Sequence, residues 1–192
     1  MDDSGRMRRL RVPAELLPPL VALAAYLNGL HGDWLDDDPL AIVDNPDVPC
    51  PRGLRGLFDN VRDVLAHDFW GTPLADATSH LSWRPLTILA FRAQHAVVGF
   101  DPRSFHAVNA ALHAAVTAAL AAALRPLLRR RSQRAAAALL FAVHAVHAEA
   151  VTNTVGRAEL LAALAFCGSL RAARRAAASA RVLRVFGWLC AA

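Results

Sequence analysis

Apolar residues are gathered along this chain in blocks rich in alanine, leucine and valine, and arginines are gathered between the blocks. The clearest block is 105–124, twenty residues without a charged side chain. As an α-helix it would be about 30 Å long, which matches the hydrocarbon core of a membrane. Shorter apolar blocks lie on either side of it. This alternation predicts an all-α, multi-pass helical membrane protein.

The arginine clusters predict which side of the membrane each connection faces, because cytoplasmic connections are enriched in basic residues. Every basic cluster falls on one side, and the acidic segment falls on the other. That segment is too long to be a simple turn, and 54–65 and 86–98 are predicted to form short amphipathic helices on the membrane surface. The predicted organisation is a cytoplasmic N-terminus at 1–11, a first transmembrane helix at 12–30, an outer loop at 31–104, a second transmembrane helix at 105–124, a cytoplasmic basic loop at 125–134, and further transmembrane helices at 135–192, truncated inside an apolar run.

The first apolar block also resembles a signal peptide, since it follows a short basic segment. Asn28-Gly29-Leu30-His31-Gly32 after it lacks a good cleavage site with two small residues. A retained first span is therefore favoured.

The formal net charge of +5 would also suit a protein that binds nucleic acid. The arginines flank apolar blocks, however, so membrane topology explains them better and no nucleic-acid partner is predicted. A soluble helical protein that binds anionic partners through arginine is the alternative. Three widely spaced cysteines predict neither a disulfide framework nor a zinc site, and no metal ligands are assigned.

Three consecutive carboxylates, Asp36, Asp37 and Asp38, follow the first predicted span. Carboxylates just outside a membrane are well placed to act as a general base on a hydroxyl, or to hold a divalent cation. On these residues alone, an ordinary solvated acidic loop is the better explanation, because acidic loops are common.

A second candidate cluster is His144-x-x-His147-x-Glu149. The two histidines are three positions apart and would share a helix face. They are interpreted as a metal half-site or as a cluster facing an aqueous cavity, and the alternative is a pair of neutral histidines packed between helices. His95, His106, Asn109 and His113 are predicted to serve helix packing.

Two arginines are candidates for binding a phosphate, since a guanidinium fork matches phosphate oxygens. Arg157 lies at the predicted outer mouth of a helix, and Arg84 lies in a polar segment with aromatic neighbours. The alternatives are a surface arrangement with Glu159 or snorkelling for Arg157, and a lipid-headgroup contact for Arg84.

The motifs together resemble the transmembrane and tetratricopeptide-repeat (TMTC) O-mannosyltransferases. They occur in order, at family-like spacings, over about 27–164. The matching motifs are His31-Gly32-Asp33, Asp37-Asp38-Pro39-Leu40-Ala41-Ile42-Val43, Asn45-Pro46-Asp47-Val48, Asp68-Phe69-Trp70-Gly71-Thr72-Pro73, Arg84-Pro85-Leu86-Thr87, Phe105-His106-Ala107-Val108-Asn109, Leu139-Leu140-Phe141-Ala142-Val143-His144 and Val155-Gly156-Arg157-Ala158-Glu159-Leu160-Leu161.

This resemblance implies a GT-C membrane fold in the endoplasmic reticulum, of which this chain would hold part, with 31–104 as its first luminal loop and tetratricopeptide repeats that are missing here. It implies transfer of mannose from dolichyl-phosphate-mannose to Ser/Thr of secretory-pathway proteins, cadherins in particular. The family's acidic pair falls on Asp37 and Asp38, so these are the expected catalytic residues. The expected substrate-binding residues are Arg84, His144, His147, Glu149 and Arg157. A need for a divalent metal is left open.

The chain also departs from the family pattern. Leu81-Ser82-Trp83 replaces a lysine-serine-tyrosine, Ala145 replaces a proline, and Ala148 replaces a threonine. The later spans expected of the family are missing as well. A catalytically inactive, truncated membrane protein that binds lipid or a protein partner is therefore the alternative function.

Overall fold

The computed structural model describes residues 13–51 and 58–178. Within these ranges the chain is helical and has no strand, as predicted. The α-helices are α1 (Leu17–Ala25), α2 (Val61–Ala66), α3 (Pro85–Val98), α4 (Pro102–Ala123), α5 (Arg131–Val143), α6 (Ala148–Thr152) and α7 (Arg157–Ala178). Short 3₁₀ turns occupy Leu27–His31, Ala145–His147 and Thr154–Gly156, and a π-turn occupies Pro39–Val43.

Helix α4 is the centre of the fold and packs against α1, α5 and α7. It begins where the sequence has a good cap: the Asp101 carboxylate accepts a hydrogen bond from the Ser104 backbone N–H at 3.1 Å, and Pro102 is the first helical residue. The following run is rich in alanine, whose small side chain lets neighbouring helices approach closely. A helix of this length reaches about 33 Å from end to end.

Among the described helices, α4 is the one that is long and apolar enough by itself to cross a membrane. It corresponds to the second predicted span, 105–124. Helix α5 and the segment Ala145–Thr152 pass the same test together, but they are bent by 48°. The described residues therefore hold one such helix, or two if the bent pair is a single span.

The first predicted span, 12–30, differs from a single straight helix over its described residues. Helix α1 ends at Ala25, and a 3₁₀ turn follows. Asn28 and Gly29 in this turn are poor helix formers, which accounts for the early end. A nine-residue helix is about 13 Å long, too short to cross a bilayer alone.

The segment 31–104 is folded around a hydrophobic core of its own. Helix α3 lies where 86–98 was predicted to be helical, and α2 occupies the end of 54–65, of which 54–57 lie outside the described residues. The buried core consists of Ala41, Ile42, Val48, Val64, Phe69, Ile88, Phe91 and Phe105. Phe105 belongs to α4, so this core attaches the segment to the N-terminal end of the central helix.

The two ends of α4 meet different parts of the chain. At its N-terminal end, His106 Nε2 lies 3.0 Å from the Asp33 carbonyl oxygen. Just beyond its C-terminal end, Arg125 pairs with Glu15 at 3.3 Å. The outer loop 31–104 thus meets the N-terminal end of α4, and the start of the basic loop 125–134 meets the beginning of the first predicted span.

Candidate functional site

The two carboxylates predicted to be catalytic have opposite surroundings. Asp38 is completely buried. Its Oδ1 accepts a hydrogen bond from the backbone N–H of Val155 at 2.8 Å, and its Oδ2 accepts from Thr154 N–H at 3.2 Å and Leu35 N–H at 3.2 Å. Asp37, the preceding residue, is exposed. Asp38 therefore holds two distant segments together, and the side chain of Asp37 is left exposed to solvent.

A cleft of about 310 Å³ lies beside the turn that Asp38 holds. It is lined by Arg84, Val146, Glu149, Ala150, Asn153, Val155, Gly156 and Glu159. Two of the residues predicted to bind substrate, Arg84 and Glu149, thus share one cavity although 65 positions separate them. Glu159 is a third charged group in the lining, and sequence reasoning did not single it out as a site residue.

Arg84 occupies the cap position of α3 and is exposed. Its guanidinium carbon lies 4.9 Å from the centroid of the Phe69 ring, and this cation–π contact orients the side chain. The contact leaves guanidinium N–H groups available for an incoming anion, since a ring face uses none of them as a conventional hydrogen bond.

Arg157 is not at the cleft surface, in contrast to the position expected for a phosphate ligand. It is 1% exposed, and its guanidinium carbon lies 4.8 Å from the Phe91 centroid and 5.1 Å from the Phe105 centroid. Its Nε donates to Asn109 Oδ1 at 2.9 Å, and its Nη2 donates to the Phe105 carbonyl at 3.1 Å. This placement argues for a positioning role rather than direct contact with substrate.

Asn109 completes the support of the turn. While its Oδ1 accepts from Arg157, its Nδ2 donates to the carbonyl oxygens of Asn153 at 3.1 Å and Thr154 at 3.3 Å. Burial of His106, Asn109 and His113 confirms that these residues serve packing, as predicted. The turn at 153–155 is thus held by Asp38 and by α4.

Gly156 lets the turn lie close to the preceding helix. A Cβ atom added there would lie 2.5 Å from the Ala150 carbonyl oxygen and 2.7 Å from the Ala150 Cα. These are backbone atoms, so the neighbour has no flexible side chain that could move aside. A glycine at this position is required by space.

The two histidines of the predicted cluster have different roles: His144 caps a turn, and His147 packs against an aromatic ring. His144 is exposed, and its Nδ1 accepts a hydrogen bond from Val146 N–H at 3.2 Å. The His147 ring packs on Phe141, with centroids 4.2 Å apart, and lies 6.2 Å from the His144 ring. Val146, between the two histidines, lines the cleft, so this segment forms one border of the cavity.

Within the described ranges, no group of three or more His, Cys, Asp or Glu is arranged to hold a metal ion.

The loop that carries Arg84 is organised by Asp68, a residue of the matching motif 68–73 to which the sequence assigned no role of its own. Its Oδ1 accepts from the backbone N–H groups of Trp70 at 2.9 Å and Thr72 at 3.0 Å. Its Oδ2 accepts from the Ser79 hydroxyl at 2.7 Å and His80 N–H at 3.0 Å. Burial by itself raises the pKa of Asp68, but these four hydrogen bonds favour the charged form more strongly, so its pKa lies below the usual value.

A second missed network fixes the loop to the segment after Asp38. Asn45 Nδ2 donates to the carbonyls of Ala41 and Phe69, each at 3.0 Å. Arg92 Nη1 donates to the Asp47 carbonyl at 2.9 Å, and the Asp47 carboxylate pairs with His67 at 2.9 Å. The Asn-Pro-Asp triplet was a usable signal, since asparagine and aspartate often bind nearby backbone in turns.

The cleft carries one guanidinium and two carboxylates, and the exposed carboxylate of Asp37 belongs to the residue before Asp38, which holds the border of the cleft. An exposed carboxylate can accept a proton, a guanidinium can bind a phosphate, and carboxylates can accept hydrogen bonds from sugar hydroxyls.

Comparison with curated proteins decides the family. Protein O-mannosyl-transferase TMTC3 of Mus musculus is 41% identical over 162 residues, which is 84% of this chain and 17% of that protein. TMTC1 of Mus musculus is 46% identical over 142 residues, 73% of this chain and 14% of that protein. TMTC4 of Homo sapiens is 39% identical over 177 residues, 81% of this chain and 23% of that protein.

The chain is a TMTC-like sequence. This confirms the resemblance inferred from the motifs. The TMTC-like chain spans about a sixth of the length of the first relatives it matches, 17% and 14%. No protein-family model matches it, and no solved structure matches it significantly. These relatives are named protein O-mannosyl-transferases.

Proposed function

We propose that this chain carries the catalytic carboxylate and part of the donor site of a protein O-mannosyl-transferase. The observation that carries the proposal is the pairing of an exposed Asp37 with a buried Asp38 that is hydrogen-bonded to the border of the Arg84 cleft. The relatives named as protein O-mannosyl-transferases support it.

The proposed location is the endoplasmic reticulum membrane, with the helices arranged as part of a GT-C fold that crosses the membrane several times. Helix α4 supports this, because it is long and apolar enough to cross. Large apolar side chains also point outward from the other helices, with Leu20 49%, Leu140 64% and Phe166 67% exposed. A lipid environment would cover such faces.

In the proposed reaction, a Ser or Thr hydroxyl of a secretory-pathway protein, such as a cadherin, attacks the anomeric carbon of dolichyl-phosphate-mannose from the luminal side. Asp37 accepts the hydroxyl proton as the new C–O bond forms. The bond between the anomeric carbon and the phosphate oxygen breaks, and dolichyl phosphate leaves with both electrons of that bond. A single displacement inverts the configuration at the anomeric carbon.

In this proposal the Arg84 cleft binds the donor, dolichyl-phosphate-mannose. Arg84 would stabilise the negative charge that develops on the departing phosphate. Glu149 would accept hydrogen bonds from the sugar hydroxyls, and His144 and His147 would shape the cavity wall next to it. Arg157 would act through position, because it fixes Asn109 and hence the 153–155 turn.

The experiment is an assay of O-mannose on a cadherin domain in cells that lack their own related transferases. The chain is tested by itself and in place of the matching 162-residue segment of Mus musculus TMTC3. Asp37→Asn should abolish transfer in whichever form is active, while Asp36→Asn, the exposed neighbour, should keep most of it. Full transfer by Asp37→Asn would refute the role of Asp37. Repeating the assay with a chelator tests the open question of a divalent metal.

The same experiment separates the enzyme from the inactive alternative. If the chimaera expresses, enters the membrane and transfers no mannose, the chain is a lipid-binding or partner-binding relative. If the chimaera transfers mannose and the isolated chain does not, the site is competent and needs further segments for activity.

A further inference from the structure

A second and larger cleft, of about 570 Å³, lies at the end of the bundle opposite to Asp37. It is bordered by the residues around the start of α1, the C-terminal part of α4 and the start of α5. Its lining on α4 begins at Ala118, nine residues or about 13 Å along the helix from Asn109, which supports the turn at the Arg84 cleft. The proposed transferase reaction makes no use of it.

The lining of this cleft is divided between charge and small apolar groups. Arg125, Arg131 and Arg134 line it together with one acid, Glu15. Three arginines against one glutamate leave two positive charges in excess. The apolar part of the lining consists mainly of alanines, with Ala118, Ala121 and Ala122 on α4 and Ala135 on α5. Such a cavity accommodates a molecule with an anionic head and a slender apolar tail.

The arginines are arranged to accept an anion. Arg134 Nη1 donates to the carbonyls of Leu128 at 2.8 Å and Arg129 at 2.9 Å, which fixes its guanidinium while other N–H groups remain. Arg125 and Glu15 are both 60% exposed, and an exposed pair of this kind contributes little energy, so an incoming phosphate can compete for Arg125. Arg131 is exposed at the start of α5.

We propose that this cleft binds an anionic phospholipid, with the headgroup phosphate among Arg125, Arg131 and Arg134 and one acyl chain along the alanines. The inference rests on the membrane insertion stated under the proposed function. The arginine-rich end is the side predicted to be cytoplasmic, and anionic lipids are concentrated in the leaflet on that side. The continuous apolar lining favours a lipid over free phosphate, which would need no such surface.

The test is native mass spectrometry of the full chain, purified in detergent and offered phosphatidylserine or phosphatidylcholine with the same acyl chains. The wild type should retain phosphatidylserine in preference to phosphatidylcholine. The double variant Arg125→Gln/Arg131→Gln should bind it roughly 25-fold less tightly, because each arginine near an anionic headgroup strengthens binding about fivefold. Arg129→Gln/Arg130→Gln removes the same charge from neighbouring residues that do not line the cleft, and should bind like the wild type.

A shape variant tests the acyl-chain part of the proposal. Ala118→Trp keeps every charge and fills the apolar part of the cleft, so it should also lose phosphatidylserine. Thermal unfolding of each variant shows whether it is folded. Equal loss in both arginine pairs, or full binding by Ala118→Trp, would overturn the proposal in favour of diffuse attraction to the basic surface.

Insertion of the chain into the membrane is tested by a separate measurement. Extraction of the chain from membranes by alkaline carbonate would refute insertion, and with it this site and the membrane part of the proposed function. An inserted chain without preference for phosphatidylserine would refute this site and leave the proposed transferase untouched.

Discussion

The carboxylate Oδ1 of Asp38 accepts a hydrogen bond from the backbone N–H of Val155 at 2.8 Å, across 117 positions of sequence. The bond joins the first part of the chain to the turn that borders the Arg84 cleft. It also gives two adjacent carboxylates different surroundings. Asp38 is buried and both of its oxygens accept backbone hydrogen bonds, whereas Asp37 is exposed.

Exchange of each carboxylate for its amide should therefore give two different phenotypes. Asp38→Asn weakens a buried, charge-assisted set of hydrogen bonds and should lower the free energy of unfolding by about 1–3 kcal/mol. Asp37→Asn, at an exposed position, should change it by less than about 0.5 kcal/mol and still abolish mannose transfer. Thermal unfolding and the transfer assay on the same preparations measure both quantities. Equal stability of the two variants would contradict this division.

Arg157 and Arg84 allow a second matched comparison, between a buried and an exposed guanidinium. Arg157→Gln removes a buried guanidinium that donates to Asn109 and Phe105 and packs on two rings, so the free energy of unfolding should fall by about 3 kcal/mol. Arg84→Gln removes an exposed guanidinium and should leave stability within about 0.5 kcal/mol while it weakens donor binding. If Arg157→Gln were as stable as Arg84→Gln, the buried role would be wrong.

Gly71 should resist substitution more than Gly99. Both have positive φ, +82° and +72°, which side chains other than glycine rarely adopt. At Gly71 an added Cβ would also lie 2.6 Å from Pro46 Cδ and 2.7 Å from Asn45 Oδ1, whereas at Gly99 nothing lies within 4 Å. Gly99→Ala should therefore cost about 1 kcal/mol and Gly71→Ala distinctly more, about 2–4 kcal/mol, in chemical unfolding experiments.

The stability of the segment that carries Arg84 should depend on pH through Asp68. Its pKa is lower in the folded chain than the ordinary value of about 3.9, so its contribution is fully present above that value and is lost as pH falls through the folded pKa. Asp68→Asn should destabilise the chain by about 1–3 kcal/mol at pH 7. The difference between variant and wild type should shrink in unfolding measured below about pH 4. A difference independent of pH would show that the charge of Asp68 is unimportant.

Much of the architecture followed from the sequence because it depends on local patterns. The uncharged run 105–124 predicted the central helix, observed as Pro102–Ala123. The alternation of arginine clusters predicted which segments face each side of a membrane, and that topology stays a prediction. The start of the helix was missed by three residues, because Asp101 and Pro102 form a cap that hydropathy alone does not register.

The site was harder to predict, since its decisive features depend on distant partners. Nothing near Asp37 and Asp38 in sequence distinguishes them, and their difference arises at Thr154 and Val155. Arg157 was expected at a surface, but the rings that cover it, Phe91 and Phe105, belong to other helices. Whether the predicted residues bind substrate stays a prediction.

The bond between Asp38 and Val155 has a consequence for how such a chain tolerates changes in length. The covalent path between the two residues runs down α4 to the far end of the bundle and back along α5, whereas the cleft depends on a contact of 2.8 Å. Residues inserted into the connection 124–130 would lengthen that path and leave the Arg84 cleft unaltered. One residue inserted between Asn153 and Gly156 would move the N–H groups away from Asp38. Variation in chain length is therefore expected to accumulate far from the Arg84 cleft and to be absent from the 153–156 border of that cleft.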